Sequence, residues 1–81
     1  MVIFLPLAFY VGQTNIERIL LVGATLLVYI VELLNSAVEA AVDHTSLEAH
    51  SLAGRAKDIG SAAVLIALIN FAITWGLVFF N

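Results

Sequence analysis

Four polar residues recur at helical spacing inside an apolar stretch: Glu32, Asn35, Glu39 and Asp43, in the run Glu-Leu-Leu-Asn-Ser-Ala-Val-Glu-Ala-Ala-Val-Asp. At about 100° per residue they fall at about 0°, 300°, 340° and 20° on a helical wheel. Three carboxylates and a carboxamide therefore share one stripe about 80° wide, which Ser36 borders at about 40°. Glu32 and Glu39 are two turns apart, about 10.5 Å along the axis. Ionisable groups on a membrane-length apolar helix are costly, which makes the stripe a functional candidate by default. A carboxylate at the membrane end suits a hydrated Mg²⁺ carried by a nucleotide, since that ion takes one or two carboxylates plus phosphate oxygens. A carboxylate about 10 Å deeper can instead accept a proton from a lipid hydroxyl. Spacing alone leaves three uses open: catalysis, ion or proton conduction, and structural pairing of buried acids.

A second polar group follows in Asp43-His-Thr-Ser-Leu-Glu-Ala-His-Ser-Leu-Ala-Gly-Arg-Ala-Lys-Asp58, which holds both histidines and two of the three basic residues. Lys57 and Arg55 suit phosphates, and His50 and Glu48 offer polar contacts. Other polar residues have plainer readings. His44 reads as a solvated loop residue, while His50, close to Glu48 and Lys57-Asp58, is balanced between the two. Asn70 and Thr74, one turn apart, read as helix–helix contacts, and Asn35 serves that role as readily as a site role. Glu17-Arg18 and Trp75 read as interfacial anchors.

The elements that must position these groups are membrane spans. Of 81 residues, 63% are hydrophobic and 11% charged, against about 45–50% and 25% in a soluble domain. The expected class is an all-α integral membrane protein in one domain, residues 1–81. Residues 1–12 make about 18 Å of helix, short of a core of about 30 Å, and are expected as part of a first span. Pro6 is tolerated in such a helix or near its start. Thr14 or Asn15 can cap the next helix, with Glu17 in its first turn. Full spans are expected at 19–42 and 59–80, joined by a polar connection at 43–58 in which Gly54 can end a short turn or helix. The small residues Gly60-Ser-Ala-Ala63 open the second span and permit close helix approach. Arg55 and Lys57 against Arg18 place 43–58 in the cytoplasm by the positive-inside rule. The absence of cysteine removes disulfides and thiolate chemistry. A net charge of −3 argues against nucleic acid. There is no Walker A, Rossmann or kinase glycine pattern.

The run from Glu32 to Asp43, followed at a fixed distance by Gly-Arg-Ala-Lys-Asp-Ile-Gly-Ser-Ala-Ala-Val, resembles the prokaryotic diacylglycerol kinase family. The resemblance runs ungapped from about Ile16 to the C-terminus. It implies a homotrimeric enzyme of the bacterial inner membrane, with active sites between neighbouring chains at the cytoplasmic face. The implied reaction moves the γ-phosphoryl group of MgATP to diacylglycerol, giving phosphatidic acid and ADP. On the matching positions, Glu32 would be the general base and Glu39 would hold metal and nucleotide. Glu48, Ala49, His50, Lys57 and Asp58 would lie against ATP, Ser61 would face the lipid, and Asn35 and Asp43 would support the site. The family's surface helix, the first half of its first span and an acidic metal contact have no counterpart here. A front-truncated member is therefore expected, one that inserts and associates through its two full spans but is a poor kinase or an inactive one. The alternatives are an undecaprenol kinase of the same family or a small non-enzymatic membrane oligomer. Gly54-Arg-Ala-Lys-Asp-Ile-Gly-Ser61 is closer to the diacylglycerol branch, and Arg55-Lys57-Asp58 counts against the oligomer.

Overall fold

The computed structural model describes residues 2–43 and 50–80. They form α1 (Phe4–Val11), α2 (Asn15–Asp43) and α3 (His50–Phe79) in an elongated bundle of 53 × 18 × 16 Å. Two of the helices, α2 and α3, are long and apolar enough to cross a membrane. Each is about 44 Å long at 1.5 Å per residue, which exceeds a hydrocarbon core of about 30 Å.

The pairing of α2 and α3 follows from two 3–4 seams. On α2 the buried residues are Leu21, Ala24, Thr25 and Val28, and partial burial continues at Val31, Asn35, Val38 and Val42. On α3 the matching seam is Ala53, Ala56, Gly60, Val64, Ala67, Phe71, Trp75 and Val78, with Ala67 the most buried. Steps of mostly three and four keep each seam on one helix face. The small residues in the α3 seam bring the backbones close, as packing between membrane helices requires. The outer faces carry exposed Leu33, Leu65, Ile66, Ile73 and Leu77. Apolar residues all round a helix are stable in lipid or against neighbouring helices.

At the other end, Pro6 lies in the first turn of α1, where its missing N–H breaks no helical bond. Thr14 is the residue that caps α2: its Oγ1 accepts from the Glu17 N–H at 3.1 Å, and Glu17 Oε1 accepts from the Gln13 N–H at 2.8 Å. Arg18 ties the α1–α2 turn together, donating to the Gly12 carbonyl and to Asn15 Oδ1, both at 3.2 Å.

One expectation is corrected here. Residues 50–58, expected in a connection, are the first turns of α3, and Gly54 lies inside that helix. Polar composition marks where a helix leaves hydrocarbon; it does not end the helix, and Leu52, Ala53 and Ala56 are good helix formers. Trp75, four residues before the end of α3, turns into the bundle. It packs with Phe4 and Phe71, with ring centroids 5.3 and 5.7 Å away, and its Nε1 donates to Thr25 Oγ1 at 3.2 Å. The indole N–H thus finds its partner inside the bundle, as a buried tryptophan usually does. The Thr25 hydroxyl itself donates to the Leu21 carbonyl at 2.8 Å.

Thr25→Val keeps the shape and removes the acceptor. It is expected to destabilise the bundle by about 0.6–2 kcal/mol, the range for interhelical bonds in membranes. Thr25→Ser is expected to restore stability. Unfolding in graded detergent mixtures measures both, and an unaffected Val variant would contradict the account.

Candidate functional site at the polar end of the hairpin

The carboxylate stripe divides once α2 packs on α3. Asn35 lies in the seam, while Glu32, Glu39 and Asp43 stand exposed beside it, with Ser36 on the same outer side. The 60° that separates Asn35 from Glu32 on the wheel is enough to turn one inward and the other out.

Two polar links cross this end. Asn35 Nδ2 donates to Glu39 Oε1 at 3.3 Å, an i to i+4 pair along one face. Lys57 Nζ lies 2.7 Å from Asp43 Oδ1 and joins the last residue of α2 to the second turn of α3. These two side chains are 43% and 63% exposed, so their ion pair is solvent-screened and readily opened by a competing anion. Asp58 and Ser61 are exposed on α3; Ser61 is one residue past Gly60 and so off the seam.

Depth separates the two glutamates. A core of about 30 Å that begins at Ile19 ends near Glu39, which leaves Glu32 about 10.5 Å inside it. The same measure back from Phe79 ends near Ile59, so Lys57 and Asp58 lie just outside. On that measure the two exposed carboxylates differ in depth by two helical turns, with Glu39 at the same end as Lys57.

Glu48, Ala49 and His44 lie outside the described residues, and His50 is described only as the first residue of α3. Asn70 is exposed on the apolar outer face of α3, while Thr74 is partly buried. Sequence reasoning found the four stripe residues and Lys57, but missed three contacts: Asp43 with Lys57, Thr25 with Trp75, and Gly60 with Asn35. The last two depend on how the helices pack, which the sequence alone does not give.

Two long apolar helices with a polar cluster at one end are the arrangement of a helical membrane protein. The chain belongs to the prokaryotic diacylglycerol kinase family, whose model matches residues 1–79. That match reaches through α1, further towards the N-terminus than the motifs alone suggest. The chain is 54% identical over 78 residues to the diacylglycerol kinase of Haemophilus influenzae, covering 96% of this chain and 66% of that protein. To the Escherichia coli K12 diacylglycerol kinase it is 55% identical over 69 residues, covering 85% and 57%. To that of Helicobacter pylori 26695 it is 47% identical over 70 residues, covering 86% and 55%. The chain thus spans between 55% and 66% of the length of these relatives.

Proposed function

We propose that this chain carries the phosphoryl-transfer centre of an ATP-dependent diacylglycerol kinase. The observation that carries the reading is the pair of carboxylates at two depths on one helix face, Glu39 at the boundary and Glu32 within the core. Family membership supports the reaction. Glu32 accepts the proton of the diacylglycerol hydroxyl, and the oxygen attacks the γ-phosphorus. The bond from that phosphorus to the bridging oxygen breaks, giving phosphatidic acid and ADP. Lys57 leaves Asp43 for the nucleotide phosphates, with Asp58, Glu48, Ala49 and His50 around the nucleotide and Ser61 towards the lipid.

The residues present fit Mg²⁺. Glu39 is an exposed carboxylate with one oxygen already oriented by an amide donor. Among the described residues no cluster of three or more His, Asp or Glu forms an all-protein cage. Mg²⁺ asks for one or two carboxylates and completes its shell with phosphate oxygens and water. Bound there, it would neutralise charge on the phosphoryl oxygens. Glu32 and Glu39 face outward, where lipid cannot solvate them, which supports self-association as a homotrimer that covers the stripe. Arg55 and Lys57 at this end support a cytoplasmic active site in the inner membrane.

The reading is tested by transfer of labelled phosphate in mixed micelles with ATP, Mg²⁺ and either diacylglycerol or undecaprenol. Labelled phosphatidic acid supports it; labelled polyprenyl phosphate alone overturns it. Within this reading, Lys57→Ala is expected to raise the apparent KM for ATP about tenfold or more, the loss of one charge-assisted hydrogen bond. The lipid constant should stay unchanged. A rise confined to the lipid constant would remove Lys57 from the phosphate site.

A further inference from the structure

We infer that Gly60 is a positioning residue for Glu39, acting through Asn35. The inference rests on the assignment of Glu39 to the metal and nucleotide. A Cβ placed on Gly60 would collide with Asn35 Oδ1, and Asn35 Cγ is 3.1 Å from the same point. The carboxamide oxygen thus occupies the space that a side chain on residue 60 would fill. That oxygen is buried and accepts no hydrogen bond.

The orientation of the amide follows from charge. If oxygen and nitrogen were exchanged, a carbonyl oxygen would face the Glu39 carboxylate and the pair would repel. The NH₂ group therefore faces Glu39, at 3.3 Å, and the oxygen is pressed against the α3 backbone. There the weakly polarised Cα–H groups of glycine are the available donors. Only a residue without a Cβ lets Asn35 sink into the seam and present its NH₂ along α2. Any larger residue at 60 pushes the amide outward and breaks its alignment with Glu39. Hydrogen bonds to ligating carboxylates of this kind typically account for 10–100-fold in metal affinity.

The test uses Gly60→Ala, Asn35→Ala, their double variant and Glu39→Gln, with two readouts. The first is the side-chain amide resonance of ¹⁵N-labelled Asn35 in micelles without nucleotide. It should shift in Glu39→Gln, which alters the acceptor, and shift also in Gly60→Ala. The second is Mn²⁺ affinity in the presence of ATP, read by electron paramagnetic resonance without lipid substrate. Gly60→Ala and Asn35→Ala should each weaken it about tenfold, and the double variant should be no weaker than Asn35→Ala alone. If Gly60→Ala fails to assemble, the double variant, which relieves the collision, should assemble again. An unmoved amide resonance in Gly60→Ala, losses that multiply in the double variant, or a double variant that also fails to assemble would each overturn the inference. If Glu39→Gln leaves Mn²⁺ affinity intact, the metal assignment of Glu39 fails, and the amide resonance still decides the role of Gly60.

Discussion

Glu39→Gln is expected to reduce Mg²⁺-dependent phosphoryl transfer by more than about 100-fold while the α2–α3 hairpin stays assembled. Partners one shell out from a metal are typically worth 10–100-fold, and a direct carboxylate ligand is worth more. Gln has nearly the same shape and keeps an oxygen that Asn35 Nδ2 can reach, so the 3.3 Å contact and the seam beside it persist. What disappears is the charge. With a single strong protein ligand at the boundary, Mg²⁺ then depends on phosphate and water alone. The check is transfer rate against Mg²⁺ concentration, paired with detergent unfolding. A rate within a few-fold of the parent would remove Glu39 from the metal site, and a lost fold would make the residue structural.

Glu32→Gln is expected to lower transfer by about 10²–10⁴-fold, the usual contribution of a positioned general base. The side chain is exposed on the outer face of α2, about 10.5 Å deeper than Glu39. In the proposed reading it is too deep to share the nucleotide's ion and meets the lipid hydroxyl instead. Gln cannot accept the proton as the attacking oxygen bonds to phosphorus. The apparent KM for ATP should be unchanged, so the loss falls on kcat. Steady-state kinetics with both substrates varied measure the division. A raised KM for ATP with kcat preserved would exclude the role of base.

Much of this end of the molecule was legible in the residues, for identifiable reasons. The helical periodicity of Glu32, Asn35, Glu39 and Asp43 placed them on one side of α2 before any packing was known, because the 3.6-residue repeat is a local property. The two long apolar helices followed in the same way from composition. What composition could not show was where hydrogen bonding ends. α3 begins at His50, well before the chain becomes apolar, because helical bonds do not depend on lipid. Nor could the wheel tell which edge of the stripe would meet α3. Asn35 entered the seam because Gly60 leaves room for it. Lys57 was read as a phosphate contact, and its pairing with Asp43 rests on a hairpin geometry that brings residues 14 positions apart within 2.7 Å. Trp75 was read from its closeness to the end of a span. Its packing depended on Phe4 of α1 and on the Thr25 hydroxyl, both distant in the chain.

The division of labour between the two depths is tested most directly by measuring ATP binding and phosphoryl transfer on the same preparations of the parent, Glu32→Gln and Glu39→Gln proteins. The predicted result is that both variants lose transfer, while MgATP affinity is kept in Glu32→Gln and lost in Glu39→Gln. Equal loss of MgATP affinity in the two variants would contradict the account, because it would place both carboxylates on the nucleotide and leave none for the lipid hydroxyl.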